Sequence, residues 1–453
     1  MLRHGASALL SSQSRRGLTA AATSSAKPNP VGEPVQQKTS RLPNGLNVSS
    51  VDLQGATSQL VFAFRSGSRY EQHDEAGLTH QLRNAIGTDS TNYLGIRLLW
   101  VTGQSGASLE TKLSKDLLLV QMTVTRTMSP IAISILGEFI QPALKSWDVL
   151  NVQQKMEYDL KQQSPYELIV EGAYRAAFRN GPLANPLLSS AHQIGNISNK
   201  RTQQFIKSRW LAGEAALIGV NIDHGMLLDY AIEHSVIPDG KGQPTDASPY
   251  LGGEVHQAGP GTLAHVALVG QGAKLTDEKA VAVQAVLCAA IGQTGHYTDN
   301  ANIAQPGVVA QHVFKASNHN AFELSPISLI HADTGIVGVY LMAEGTKLFP
   351  YVKALAQGLR DMASKPLNAD TLQIAKRTVE LQTLAASADS ANLAVDHASQ
   401  VLAKGSASTP REFVQLVNGV TGEDVKKAAA QLCSKLSLST YGKVNQVPYL
   451  DQL

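Results

Sequence analysis

The sequence predicts an α+β protein made of two similar domains, each a mixed β-sheet covered by helices. Three observations carry this prediction: the length of 453 residues, the apolar share of the composition, and an order of strands and helices that occurs twice. This length exceeds what one core usually holds, and 43% hydrophobic against 16% charged residues excludes a disordered or fibrous protein. A single Rossmann-like domain would need strands and helices in steady alternation, which the two predicted hairpins contradict.

Each half of the chain begins with a strand, a glycine turn and a helix. In the first half the strand is predicted at 60–64, and the helix runs from Glu75 to about Ile86. In the second half the strand is predicted at 265–269, and the helix at 277–291 follows Thr276, which can cap it. The two helices end in the similar sequences NAIG and AAIG.

A hairpin, three more helices and a closing strand complete each half. Apolar strands around short polar turns predict the hairpins, and amphipathic stretches of helical period predict the helices. In the first half these elements are predicted at 107–114, 117–125, 129–143, 147–162, 200–209 and 215–220. In the second half they are predicted at 326–331, 336–342, 346–363, 368–386, 423–432 and 438–444. The repeated order indicates a duplication, with each half large enough to hold a core of its own.

Local composition sets the domain boundaries. Residues 1–36 are predicted to be a mitochondrial presequence and linker, because they are basic and hydroxylated and contain no acid before Glu33. A disordered tail without a targeting role is the alternative. The two domains are predicted at 37–235 and 262–453, and the Pro, Gly and Asp residues of 236–261 predict a linker with one short strand.

Charge and composition argue against several classes of function. The formal charge is only +2 and no block of Lys or Arg occurs, so no nucleic-acid partner is expected. The long apolar run at 280–291 is too short to cross a bilayer, so no transmembrane helix is expected. The chain has only two cysteines, Cys288 and Cys433, and both lie in apolar stretches, so a secreted disulfide scaffold is excluded. No haem-attachment or iron–sulfur pattern occurs, so no cofactor is expected.

One histidine, His80, lies on a predicted helix with a spacing that metal sites use. Together with Arg83 and Asn84 it occupies the polar side of the helix at i, i+3 and i+4. A helical zinc site needs two ligands one turn apart and a carboxylate that activates water. A guanidinium cannot act as the base and an amide is a poor ligand, so the pattern alone favours a surface or interface histidine.

Six short segments over most of residues 37–453 share a pattern with a known family. They are RLPNGLNV (41–48), GSRYE (67–71), GLTHQLRNAIGT (77–88), AYRAAFRNG (173–181), YLGGE (250–254) and HVALVG (265–270). In these segments the chain resembles the pitrilysin-like metallopeptidases, and within them the mitochondrial branch of processing peptidases and respiratory core proteins. The resemblance implies two homologous halves that face each other in a bowl.

Active members of that family carry an inverted zinc motif, H-x-x-E-H, and a glutamate roughly seventy residues later. The resemblance places the first histidine at His80, the catalytic glutamate at Arg83, the second histidine at Asn84 and the distant glutamate at Glu157. The base and one imidazole are therefore missing, so these four positions are predicted to be vestigial, without catalysis or metal. For Glu157 the alternative is an exposed acid paired with Lys161.

The resemblance implies a non-catalytic core subunit of a mitochondrial respiratory complex, peripheral on the matrix side of the inner membrane. The alternative is the non-catalytic, substrate-recognising subunit of the processing peptidase. That subunit is associated with a long glycine-rich loop, whereas the corresponding region here, 291–307, has few glycines. Arg83 and Asn84 argue against a third possibility, an active zinc peptidase. A second imidazole together with another acid beside His80 would contradict this interpretation.

Overall fold

The structure is a computed structural model that describes residues 37–294, 307–318 and 320–453. The predicted presequence at 1–36 and most of the glycine-poor loop at 291–307 lie outside the described residues.

Two mixed sheets, one in each half, organise the described chain. The strands of the first sheet are β1 (Gln37–Arg41), β2 (Asn47–Val51), β3 (Thr57–Phe64), β4 (Ser108–Leu113), β5 (Leu118–Thr125) and β6 (Ala215–Val220). Those of the second sheet are β7 (Gly253–Ala258), β8 (Leu263–Gln271), β9 (Phe322–Ile330), β10 (Gly335–Glu344) and β11 (Ser437–Gly442). Strand β7 is the short strand that the sequence predicts within the linker at 236–261.

The two sheets have the same topology apart from one additional edge strand. The strand order is β1-β2-β6-β3-β5-β4 in the first sheet and β7-β11-β8-β10-β9 in the second. The pairs β2–β6 and β7–β11 are parallel, and every other neighbouring pair of these strands is antiparallel. The β4–β5 and β9–β10 pairs are the predicted hairpins. The predicted α+β class and duplicated architecture are confirmed.

Helices occupy most of the chain between the strands. In the first half they are α1 (Leu78–Ala85), α2 (Gly95–Gln104), α3 (Ser129–Phe139), α4 (Val149–Gln162), α5 (Pro165–Phe178), α6 (Asn199–Arg209) and α7 (His224–Glu233). In the second half they are α8 (Glu278–Ile291), α9 (Val308–Ser317), α10 (Leu348–Ser364), α11 (Ala369–Ala388), α12 (Ser390–Lys404), α13 (Pro410–Asn418) and α14 (Gly422–Ser434). Six of these helices were not predicted from the sequence: α2, α5, α7, α9, α12 and α13.

The start of α8 differs from the prediction by one residue. Asp277 caps this helix, because its carboxylate accepts the N–H of Ala280 at 3.0 Å, whereas the hydroxyl of Thr276 donates to the carbonyl of Ala332. The predicted cap at Thr276 is therefore wrong. The carboxylate three residues before the bonded N–H has the reach that an N-cap requires, and its charge favours the helix N-terminus.

One face of each sheet packs against helices of the same half. In the first half, β3 and β5 contribute Phe62, Phe64 and Met122 to a core that α1, α3, α6 and α7 cover. Phe64 also stacks on Trp210 with 4.5 Å between the ring centres. In the second half the equivalent face packs against α8, α9, α10, α11, α13 and α14.

The opposite face of each sheet is covered by a helix from the other half. Helix α12, in the second half of the sequence, packs on β2, β3 and β6 of the first sheet. Its contact residues are Leu393, Ala394, Ala398, Val401 and Leu402. Helix α5, in the first half, packs on β7, β8 and β11 of the second sheet through a set that includes Ile169, Ala173, Ala177 and Phe178. The halves thus exchange helices, so neither sheet is fully covered without the other half, contrary to the expectation of self-sufficient cores.

Helix α12 carries a buried histidine that makes stability depend on pH. His397 is 1% exposed, its Nδ1 has no hydrogen-bond partner among the described residues, and burial lowers its pKa from 6.5 to about 4. The unfolded chain therefore takes up a proton below about pH 6.5 while the folded chain does not. Stability is fully present above that pH and falls as the pH is lowered, by about 2 kcal/mol near pH 5.

Replacing His397 by leucine is expected to remove this part of the pH dependence. Urea unfolding of both proteins near neutrality and near pH 5 measures the difference. The exposed His234 supplies the control, since His234→Leu should leave the wild-type pH dependence unchanged. An H397L protein that loses as much stability on acidification as the wild type would contradict the assignment.

No helix in the described part of the chain is both long and apolar enough to cross a membrane.

Candidate functional site

Helix α1, which carries His80, is held at its N-terminus by a buried glutamate. The carboxylate of Glu71 accepts the backbone N–H groups of Gly77 at 2.8 Å and Thr79 at 2.7 Å, as well as the hydroxyl of Thr79. Gly77 adopts a left-handed conformation (φ 96°) that other residues rarely adopt. Burial raises the pKa of Glu71 to about 7, although its three donors favour the ionised form. The segments GSRYE and GLTHQ thus form one structural unit that fixes the position of His80.

Three side chains of α1 converge on one carboxylate of α4. Asp159 Oδ2 accepts hydrogen bonds from His80 Nε2 and from Asn84 Nδ2, each at 2.9 Å, and forms an ion pair with the guanidinium of Arg83. Ala85 packs beside them against Met156 of α4. The three predicted positions on α1 are therefore brought together, and the acid between them neutralises the arginine.

The hydrogen bonds of His80 identify its tautomer. The backbone N–H of Ser189 donates to Nδ1 at 3.2 Å, so Nδ1 carries no proton and Nε2 donates to Asp159. Burial lowers the pKa of His80, which keeps the ring neutral near pH 7. Burial alone would raise the pKa of Asp159, but the hydrogen bonds from Asn84 and His80 and the charge of Arg83 outweigh it and lower that pKa.

The carboxylate at this site is Asp159 and not Glu157, the position to which the resemblance assigns the distant glutamate. Glu157 is exposed, and within the described chain it has no hydrogen bond or ion pair with the α1 side chains or with Lys161. The difference is one of helical phase. Val152, Met156 and Asp159 recur at i, i+4 and i+7 on the face toward α1, whereas position 157 points elsewhere. The buried apolar spacing of α4 was the signal in the sequence that could have identified Asp159.

The residues present do not fit a zinc ion. A zinc ligand must offer a lone pair, yet His80 Nε2, Arg83 and Asn84 all direct N–H groups toward Asp159. Within the described residues no group of three His, Cys, Asp or Glu side chains could hold a metal ion. An acid does lie beside His80, but no second imidazole joins it. The arrangement is a closed set of hydrogen bonds that ties α1 to α4, and we name it the Asp159 cluster.

Removing Asp159 is expected to destabilise the protein, whereas removing Glu157 is not. D159A leaves the fully buried His80 Nε2–H without an acceptor and Arg83 without its counter-ion, so unfolding free energy should fall by about 2 kcal/mol. E157A on the same helix should stay within about 0.5 kcal/mol of the wild type. Urea unfolding of the two variants measures both values. Equal losses of unfolding free energy would show that the Asp159 cluster does not stabilise the protein more than an exposed side chain does.

A second polar cluster lies between the two halves, beside a cavity of about 400 Å³. Asp116, in the β4–β5 turn, accepts hydrogen bonds from Arg69 and His331, each at 2.7 Å. His331 also bonds the hydroxyl of Tyr174 at 2.7 Å, and Arg69 forms a two-point ion pair with Asp333. We name these five residues the interhalf cluster.

The order Tyr174–His331–Asp116 resembles a nucleophile, base and acid, but its chemistry is structural. Burial raises the pKa of Tyr174 well above 10, which keeps its hydroxyl protonated. Asp116 is already neutralised by Arg69, and its hydrogen bonds with His331 and Arg69 lower its pKa against the opposing effect of burial. The cluster therefore joins the β4–β5 turn, the β9–β10 turn and helix α5 without an activated nucleophile.

Comparison with known proteins agrees with this geometry. Residues 47–191, in the first half, match the family described as Insulinase (Peptidase family M16). The fold and this match indicate the class of protein: residues 47–191 are similar to peptidase family M16, the family of the pitrilysin-like proteins.

Within this class the chain is similar over nearly its whole length to cytochrome b-c1 complex subunit 2. The mitochondrial protein of that name from Rattus norvegicus is 26% identical over 429 residues, which cover 93% of each chain, and the one from Homo sapiens is 27% identical over 435 residues, which cover 94% of each. The mitochondrial-processing peptidase subunit alpha-2 of Dictyostelium discoideum is 25% identical over 420 residues, covering 91% of this chain and 93% of that protein.

Proposed function

We propose that this chain is a non-catalytic core subunit of mitochondrial ubiquinol–cytochrome c reductase, the cytochrome b-c1 complex or respiratory complex III. Its role is to support the assembly and stability of the complex while electrons pass from ubiquinol to cytochrome c. The observation that carries the proposal is the similarity to cytochrome b-c1 complex subunit 2 across both halves, 93% of each chain in the rat relative. The Asp159 cluster supports the non-catalytic part, because Arg83 and Asn84 direct N–H groups toward Asp159 from the positions where the motif has its base and its second imidazole.

The proposal gives the chain a peripheral position on the matrix side of the inner membrane, reached with the predicted presequence at 1–36. Its partners are a core protein 1 homologue, cytochrome b, cytochrome c1, the Rieske iron–sulfur protein and the small subunits. It holds no cofactor in this proposal, so electron transfer belongs to the other subunits. Its physical contribution is buried protein–protein surface, which stabilises the assembled state by mass action.

A second candidate function is the non-catalytic, substrate-recognising subunit of the mitochondrial processing peptidase. The similarity to processing-peptidase alpha subunits over 91% of the chain favours it. Depletion of the protein in its own cells separates the two functions. Assembled complex III should decline before presequence cleavage under the first proposal, and the reverse order would support the second. Mass spectrometry of the native assembly from mitochondrial membranes then identifies the co-purifying chains.

The purified protein is expected to contain no stoichiometric zinc and to cleave no presequence peptide. The reason is that Arg83 and Asn84 direct donors, not lone pairs, into the position of a metal. Metal analysis by mass spectrometry and a fluorogenic presequence peptide measure the two properties. About one zinc ion per chain, with peptide cleavage abolished by a chelator, would contradict the non-catalytic assignment.

A further inference from the structure

Large apolar side chains are exposed on and beside the helices that flank the Asp159 cluster. They are between 61% and 75% exposed, and we name them the α2–α4 surface: Leu94, Ile96, Trp100, Trp147, Leu150 and Tyr158. Two of the six are tryptophans, a residue type that is enriched in protein interfaces and costly to leave in water. Their concentration in this part of the chain indicates a surface that another protein covers.

A groove of about 530 Å³ runs through this surface, with Ile96 and Tyr158 in its lining. Asp89 and Asp148 also line the groove. The carboxylate of Asp89 accepts the backbone N–H of Gly95 at 2.9 Å and the indole N–H of Trp147 at 3.2 Å. Asp148 Oδ2, by contrast, is buried and has no hydrogen-bond partner among the described residues.

The charges that face the groove leave a negative excess. Asp159 is neutralised by Arg83, so Asp89 and Asp148 have Lys155 as the one remaining cation of the described lining. Burial and the charge of Asp89 raise the pKa of Asp148, while a hydrogen bond from the backbone of Asp89 and the charge of Lys155 oppose the shift. A positive group placed between the two aspartates would relieve their repulsion and give the carboxylate of Asp148 a counter-ion.

The apolar side chains also define the shape of the occupant. Leu150, Gln154 and Tyr158 lie four residues apart along one stripe of α4. Trp147, three residues before Leu150 in the 3-10 turn that leads into α4, extends this stripe. On α2, Ile96 and Trp100 are one turn apart. A helix that lies along α4 would cover this stripe over about three turns, with its own side chains in the groove.

We propose that the α2–α4 surface binds a helix of a partner protein, whose apolar side chains cover Ile96 and Tyr158 and whose Lys or Arg pairs with Asp148. The inference rests on the surface of this chain alone and does not depend on membership of complex III. The buried apolar contacts supply affinity, and the basic residue fixes the orientation and register of the helix.

Two synthetic helical peptides of about 18 residues test the proposal with the full chain. Both carry leucines along one face, and the centre of that face holds a single arginine in one peptide and a glutamate in the other. The fluorescence of Trp100 and Trp147 reports binding, while the buried Trp210 serves as an internal reference. The arginine peptide should bind at least about tenfold more tightly, and high salt should reduce that preference.

Variants of the chain distinguish the parts of the interaction. D148N should remove most of the preference for arginine, by weakening the arginine peptide and not the glutamate peptide, and Ile96→Ser should weaken both peptides. Leu381→Ser, at an equally exposed apolar side chain on α11, is the matched control and should change neither. Equal affinity of the wild type for both peptides, or a preference that survives D148N, overturns the proposal. Self-association of the chain that I96S abolishes would also overturn it, because the occupant would then be a second copy.

Discussion

Replacing Arg69 by methionine should lower the free energy of unfolding by about 3 kcal/mol, the cost of leaving a largely buried acid without its counter-ion. The guanidinium is only 6% exposed and binds Asp116, 18% exposed, and Asp333 across the contact between the halves. Methionine keeps most of the aliphatic volume of arginine. The loss of unfolding free energy therefore comes from the missing charge and hydrogen bonds and not from a cavity.

The ion pair between Arg126 and Asp52 is the matched control for this variant. It has two short contacts of 2.7 and 2.6 Å, but both side chains are more than a third exposed. R126M should therefore cost less than about 1 kcal/mol. Urea unfolding of R69M and R126M measures both losses, and equal losses would show that the interhalf cluster is no stronger than a surface pair.

The same variant tests whether the cluster couples the two halves. All three tryptophans of the protein, at positions 100, 147 and 210, lie in the first half, whereas circular dichroism reports the helices of both. In the wild type the fluorescence and dichroism transitions should coincide, because the halves unfold together. In R69M the two transitions should shift together to a lower urea concentration, because α5 and α12 still join the halves. Transitions that separate would show that the cluster carries the coupling.

Separating the two halves should unfold both of them. A fragment of residues 37–245 lacks α12, and a fragment of 246–453 lacks α5. Loss of α12 removes five buried apolar side chains from the first sheet, each worth about 1 to 3 kcal/mol if fully buried. The total is comparable with the entire stability of an ordinary domain, about 5 to 15 kcal/mol.

Circular dichroism and sedimentation of each fragment, alone and mixed, measure this dependence. The separate fragments should be aggregated or poorly structured, and co-expression should recover a stable pair. The control is the intact chain with a protease site inserted after residue 245 and cut after folding, which keeps both helices in place. A fragment 37–245 that unfolds cooperatively at the same urea concentration as the cut chain would show that the first half is stable without α12, which contradicts the prediction.

The duplication could be predicted from sequence because hairpins and amphipathic helices leave local patterns. The strands around Phe62 and Val266 follow apolar runs that end in turn residues, and both were predicted within a few positions. Helices α5 and α12 were missed because much of each contact surface is alanine, such as Ala173 and Ala398, which carries little periodic signal. Periodicity shows that a face is buried, and only the tertiary structure shows which element covers it.

The candidate site was predicted in its positions but not in its chemistry. His80, Arg83 and Asn84 follow from one helical turn, so their common face could be derived from spacing alone. The acid that binds them lies about seventy-five positions later, on a helix whose rotation depends on packing at Met156. A two-residue difference in that helix separates an exposed glutamate from the aspartate that completes the cluster. In the sequence only the apolar spacing of Val152 and Met156 indicates which of the two faces α1.

The exchange of α5 and α12 has a consequence for how the protein is made. At ordinary synthesis rates, the β6 strand emerges on the order of ten seconds or more before the residues of α12 that cover it. During that interval Val61, Ala63 and Ile218 present an uncovered apolar sheet face. Such a nascent chain is expected to bind chaperones. The first sheet can be covered only after α12, which ends at Lys404, has been synthesised, when about nine tenths of the polypeptide is complete.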